Sequence, residues 1–223
     1  SPLREVLNLF KSEIEKSKIL AELELEKSKY ILLSAHREEN IDNEQSFNLL
    51  MNAVNNIAEE YKMPIIYSTH PRSKNMIEKR KFKYHRLVRS IEPFGFFDYN
   101  KLQENAYCVL SDSGTLSEES AILNFPAVLI RTSTERPEVL DKGSIIVGGI
   151  TKNTISQSLK MAVEMFGSLW IEYKEEYLRD HISCLQIWFY DKNDDVDIMS
   201  IISLSEIDKV RLRIGMEYDS KKK

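Results

Sequence analysis

Ser111-Asp-Ser-Gly-Thr-Leu-Ser-Glu-Glu-Ser-Ala121, followed by Pro126-Ala-Val-Leu-Ile-Arg-Thr-Ser-Thr-Glu-Arg-Pro-Glu138, decides the fold. It closes a short apolar run, Tyr107-Cys-Val-Leu110, and reads as strand, tight turn, helix, strand, polar turn. Strands buried on both faces are short continuous apolar runs, as parallel sheets require. Gly114 permits a tight turn. Ser113 suits a helix cap. Free amides at a helix start favour an anion such as phosphate. Ser113-Gly114-Thr115 is therefore a diphosphate-binding turn, or else a plain helix start. Glu118 and Glu119 follow one turn later, either as a solvated helix face or as carboxylates able to accept from ribose hydroxyls.

Outward from that stretch the same rhythm repeats. Strands are expected over Tyr30–Ala35, Pro64–Thr69, Arg86–Ser90, Tyr107–Ser111, Ala127–Ile130 and Ser144–Val147. Helices are expected from Asn43, over 74–82, 97–106, 116–123 and 151–166. The helix from Asn43 has Phe47, Leu50, Met51, Val54, Ile57, Ala58 and Tyr61 at helical spacing. Residues 2–29 carry Leu3, Val6, Leu7, Phe10 and Ile14 at the same spacing and read as mostly helix, with Pro2 at its first position. Alternating β and α elements with short connections define a doubly wound parallel α/β sheet, Rossmann-like. Right-handed crossovers bring the carboxyl ends of such strands to one edge, where ligands bind. The polar clusters His36–Asn40, His70–Ser73, Ser111–Thr115 and Arg131–Arg136 all lie at strand ends of this kind.

Several residues there suit a nucleotide. Arg136 offers a planar fork to phosphate, or an ion pair to Glu135 or Glu138. His36 and His70 end equivalent strands and can act as acid or base near neutral pH, or serve the fold alone. Arg37 and Arg72 beside them suit a polyanion. His85 and His181 lack such a setting and read as structural. In Phe94-Gly-Phe-Phe-Asp-Tyr99 one ring, Phe97 or Tyr99, is available to stack on a base, the others packing the core.

Composition narrows the classes. The 223 residues carry 31 Lys and Arg against 35 Asp and Glu, a net charge of −4, so a nucleic acid is not the expected partner. Only Cys108 and Cys184 occur, which fits a reducing cytoplasm and no disulfide framework. No Cys/His metal spacing and no nicotinamide-type Gly pattern after the first strand is present, so neither metal nor other cofactor is expected. No run approaches the ~18 apolar residues of a membrane span. Residues 167–223, with Trp170, Trp188 and the charged stretch Asp191–Asp197, lose the rhythm; Leu178–Tyr190 reads as helix or strand.

Ser34-Ala-His-Arg-Glu-Glu-Asn40, Thr69-His-Pro71, Glu92-Pro93, the stretch Ser111–Glu119, Phe125-Pro126 and Thr134-Glu-Arg-Pro-Glu138 occur in one order over about residues 1–165. This set resembles the C-terminal half of the non-hydrolysing UDP-N-acetylglucosamine 2-epimerase family. The Ala-His-Arg-Glu-Glu-Asn and Glu-Pro-Phe-Gly forms look closer to its capsule and O-antigen branch, which includes enzymes of UDP-N-acetylfucosamine synthesis. The resemblance implies the C-terminal domain of a GT-B-type two-domain fold. It also implies anti elimination of UDP and re-addition at inverted C2, without metal or nicotinamide. It assigns Ser113, Gly114 and Thr115 to the diphosphate, Glu119 to the ribose, Arg136, Arg37 and His70 to phosphates, and His36 to the catalytic centre. Residues 1–166 are then a UDP-binding domain, with 1–29 a leading helix and linker from a missing N-terminal domain, and 167–223 a divergent tail. A homodimer is implied for the full-length enzyme. The family's second glycine is Thr115 here. Two other classes stay open: a non-catalytic UDP-binding module, and the donor domain of a GT-B glycosyltransferase.

Overall fold

The structure, a computed structural model, describes residues 2–131, 145–168, 184–190 and 196–203. Six parallel strands, β1 (Ile31–Ser34), β2 (Ile65–Ser68), β3 (Val88–Ile91), β4 (Cys108–Ser111), β5 (Ala127–Ile130) and β6 (Ile145–Gly148), lie in the order 3-2-1-4-5-6. All six lie where strands were expected, β3 beginning two residues later than the Arg86 start. β7 (Cys184–Tyr190) and β8 (Val196–Ser203) extend the sheet beyond β6 as an antiparallel pair, so this part of Leu178–Tyr190 is strand.

Alternation along the strands builds two cores. Ile31 and Leu33 of β1 face α5 (Glu44–Tyr61) and α9 (Lys152–Ser168), with Phe47, Leu50, Ile57, Ile155 and Leu159 fully buried there. Leu32 points to the opposite face with Leu102, Val109, Leu116 and Phe125. That second layer holds α3 (Ile19–Glu22), α7 (Phe96–Asn105) and α8 (Leu116–Leu123). Each such aliphatic side chain contributes roughly 1.5–3 kcal/mol when buried. Asn43 caps α5 by accepting from Ser46 N at 3.0 Å, and Lys62, at φ 52°, ends it in the left-handed conformation two residues before Pro64. Cys108 is fully buried, and burial pushes its thiol far up, so it packs as a small hydrophobe.

The helices depart from expectation at three places. Residues 2–29 form three short helices, α1 (Pro2–Leu9), α2 (Lys11–Lys16) and α3, rather than one long one. Ser17 breaks the run at ψ 133°: its hydroxyl donates to Asp98 Oδ1 at 2.6 Å and accepts from Ile19 N, a local bond that competes with helix. Glu24 and Ser28 then take positive φ. Between β1 and α5 a short α4 (Glu38–Ile41) forms. After β2, α6 runs Pro71–Lys79 instead of 74–82, with His70 as its N-cap. Proline at the first helical position has no amide to satisfy there, which favours the earlier start.

Tyr30 and Tyr67 are fully buried and donate to Leu102 O (2.6 Å) and Ala35 O (2.8 Å). Burial pushes both phenols far up; for Tyr67 a bond to Ser73 pulls down and Asp112 pushes up. The folded chain therefore keeps protons that the unfolded chain releases above about pH 10. Stability is fully present below that pH and falls above it, by up to ~1.4 kcal/mol per pH unit for each phenol. Urea midpoints that decline from about pH 10 upward are the expected result. A midpoint unchanged to pH ~11 would refute it.

Candidate functional site

The strand order places the topological switch point between β1 and β4, where ligands of open α/β sheets bind. There β1 runs into His36 and Arg37, and β4 into Asp112 and Ser113. The Asp112 carboxylate is fully buried and knots the two loops together. Its Oδ2 accepts from Arg37 N (2.9 Å), His36 N (3.0 Å) and Asn40 Nδ2 (3.1 Å). Its Oδ1 stands 3.3 Å from His36 Nδ1. Asn40, also buried, reaches on to Ile130 O (3.1 Å), tying β5 to the same point. Arg131, 8% exposed at the end of β5, donates from Nε and Nη2 to the Asp112 carbonyl at 3.3 and 3.1 Å.

Gly114 is not in the left-handed region; among the described residues no glycine has positive φ. The turn therefore does not need glycine's left-handed freedom, which corrects the expectation from the sequence. A Cβ on Gly114 would stand 3.8 Å from Arg131 Nη2 and 3.9 Å from Arg37 Nη2. Two guanidinium groups thus face the bare α-carbon of the turn, and an anion seated there meets both charges. Ser113 does not act as the N-cap of α8. That position is Thr115, which makes no side-chain cap bond, and Ser113 contributes its carbonyl to Leu116 N at 3.4 Å.

Glu119, one turn into α8, is held at both oxygens. Thr115 Oγ1 donates to Oε1 at 2.7 Å and Gln103 Nε2 to Oε2 at 2.6 Å. Because the carboxylate only accepts, the Thr115 proton is committed to it, and Ser113 Oγ supplies the proton of the 2.9 Å bond to Thr115. A chain Ser113–Thr115–Glu119–Gln103 results. Each Glu119 oxygen keeps a further lone pair for a vicinal diol. Tyr99 stands beside this chain: burial pushes its phenol far up, Glu119 and Asp112 add to this, and a bond with Ser34 opposes it. Phe97 turns elsewhere, against Phe10 (5.5 Å between centroids) and Phe96 (5.8 Å). Of the two rings considered for a base, Tyr99 is the one whose phenol feels the Glu119 charge, while Phe97 packs against Phe10 and Phe96.

His36 and His70 meet across the sheet edge, with ring centroids 5.6 Å apart. His70 Nδ1 accepts from Arg72 N at 3.2 Å. The Arg72 guanidinium is bound to Glu38 at 2.8 Å. His85 pairs with Glu59 at 2.9 Å, as a structural histidine would. Arg136, His181 and the Thr134–Glu138 motif lie outside the described residues. Among the described residues, no group of three or more His, Cys, Asp or Glu is placed to hold a metal, and no helix is long and apolar enough to cross a membrane. Sequence reasoning passed over Asp112, Asn40, Arg131 and Gln103 as individual actors. Asp112 lay inside the quoted motif, but its partners at 36, 37 and 40 lie some 75 residues earlier.

Fold and site together define a Rossmann-like α/β domain with the Ser113-Gly114-Thr115 turn at its switch point. The family model for UDP-N-acetylglucosamine 2-epimerase matches residues 2–181, and the chain belongs to that family. The enzyme of that name from Methanococcus maripaludis is 41% identical over 125 residues, 54% of this chain and 34% of the relative. Among solved structures, the UDP-N-acetylglucosamine 2-epimerase of Rickettsia bellii superimposes with TM-score 0.63 at 40% identity, covering 74% of this chain and 43% of that one. The Methanocaldococcus jannaschii enzyme, solved in complex with UDP-GlcNAc and UDP, gives TM-score 0.61 at 32% identity, covering 68% and 43%. The chain spans little more than a third of the length of the curated relatives it matches.

Proposed function

We propose that this chain is the nucleotide-holding half of a UDP-N-acetylhexosamine 2-epimerase that supplies precursors of cell-surface polysaccharide. The observation that carries the reading is the convergence at one sheet edge of the Gly114 turn, the Arg37 and Arg131 guanidinium groups and the pre-oriented Glu119 carboxylate. The relative solved with UDP-GlcNAc and UDP supports the choice of nucleotide. The diphosphate lies over Ser113, Gly114 and Thr115, facing Arg37 and Arg131, with Arg136 and His70 as further phosphate contacts. Glu119 accepts from the ribose hydroxyls and Tyr99 packs against the base.

Catalysis consists of breaking C2–H and C1–O, releasing UDP, and re-adding it after the proton returns to the opposite face. Cationic groups set where UDP gathers charge lower that barrier, since they need no reorganisation as the bond breaks. His36 moves a proton at the sugar end of the site. A cleft enzyme with one wall cannot exclude water or align the sugar, so the chain alone binds UDP without turnover. Partnership with an N-terminal domain, in a homodimer, completes the site.

Calorimetry of the chain with UDP, and C2 deuterium incorporation from D2O by the full-length protein, test this. Binding by the chain and exchange by the full-length protein are expected. Absence of UDP binding rejects the reading. Binding by both with no exchange supports a non-catalytic module, and sugar transfer without exchange a glycosyltransferase.

A further inference from the structure

We propose that this site holds its two histidines in opposite tautomers, with Asp112 as the positioning residue that sets the first. The inference rests on the proposed function only for its catalytic consequence; the tautomers follow from the geometry alone.

An ionised carboxylate accepts hydrogen bonds and donates none. Asp112 is fully buried, and its oxygens are already ringed by the His36 and Arg37 amides and Asn40 Nδ2. The atom of the His36 ring that faces it is Nδ1, 3.3 Å from Oδ1. A bare Nδ1 there would set its lone pair against those of the fully buried carboxylate. The proton therefore sits on Nδ1, and Nε2 is left as an acceptor. The His36 side chain is 42% exposed, so the ring is open to the crevice. A carboxylate behind an imidazole selects its tautomer in this way in hydrolase triads.

The second ring has the reverse arrangement. His70 caps α6, and its Nδ1 accepts the Arg72 amide proton at 3.2 Å. That nitrogen must be bare, so the His70 proton sits on Nε2. The rings are 5.6 Å apart. One strand end thus offers a base and its neighbour a hydrogen-bond donor. A sugar diphosphate needs both at its reacting end: an acceptor for a moving proton and a donor to a phosphate or leaving-group oxygen. The two loops, not the histidines themselves, decide which does which.

Long-range 1H–15N NMR correlation on the 15N-labelled chain, at a pH above the imidazole range, reads the tautomers directly. His36 is expected as Nδ1–H, the form that free histidine disfavours, and His70 as Nε2–H. His36 in the Nε2–H form, or the same tautomer in both rings, overturns the proposal without any mutation. In Asp112→Asn, the amide signals of His36 and Arg37 report whether the loop survives. His36 is then expected to revert toward Nε2–H. C2 exchange by full-length D112N is expected to fall about 10²-fold or more, the scale of lost acid–base catalysis, while UDP affinity stays within about threefold. A parallel loss of UDP affinity and exchange with the His36 tautomer unchanged assigns Asp112 to the fold alone and overturns the positioning role. If the wild-type chain shows both tautomers but no UDP binding, the assignment stands and the epimerase reading fails.

Discussion

Glu119→Ala should weaken UDP binding by roughly 30-fold to 1000-fold, the equivalent of about 2–4 kcal/mol. The carboxylate is already oriented by Thr115 at 2.7 Å and Gln103 at 2.6 Å, so the ribose finds it in place and little ordering cost remains. Two charge-assisted bonds to the vicinal hydroxyls are lost with the side chain. A 2′-deoxy ribose discriminates this from a general effect: wild type should bind 2′-deoxy-UDP more weakly than UDP, and Glu119→Ala should hardly distinguish the two. Gln103 is fully buried and loses its partner in the variant, so a stability loss of about 1–3 kcal/mol is also expected and is measured separately by urea unfolding. Affinity within threefold of wild type would remove Glu119 from the nucleotide site.

Phe47→Ala should cost about 3–5 kcal/mol of stability, the range for emptying a buried aromatic site. The ring is fully buried, meets Phe82 edge-on at 5.8 Å, and lies 4.5 Å beneath the Arg80 guanidinium. That guanidinium donates to the Ile41 and Asp42 carbonyls at 2.6 and 2.7 Å. The same ring therefore supports the end of α4, the helix whose Asn40 holds Asp112. Urea unfolding with an unchanged slope and a lowered midpoint is the expected signature. A loss below about 1 kcal/mol would show that the neighbours close over the space.

Much of the architecture was legible because it depends on local chemistry. Apolar runs such as Ile31–Leu33 can be buried on both faces only inside a sheet, and Phe47, Leu50, Met51, Val54 and Ile57 share one helical face at any tertiary arrangement. Long-range bonds redrew what local pattern suggested. Ser17 looked like another helical residue, yet α2 ends there, where its hydroxyl donates to Asp98, 81 residues away, and accepts from Ile19 N. Gly114 looked like a turn glycine, yet its turn needs no positive φ, and two arginines from other loops stand beside its α-carbon.

By itself, the sequence determined the alternation of strands and helices, the polar strand ends, and the family, whose motifs lie in order along the chain. It did not determine that β1 lies beside β4, since right-handed crossovers allow several strand orders. Only that adjacency brings Asp112 beneath His36 and Arg37. Only the placement of α7 and α8 on one face of the sheet lets Gln103 reach Glu119 and leaves Phe97 with Phe10. A buried carboxylate must find its donors wherever the chain supplies them. The tertiary structure supplied them from a loop some 75 residues upstream, and so decided which side chains make the site.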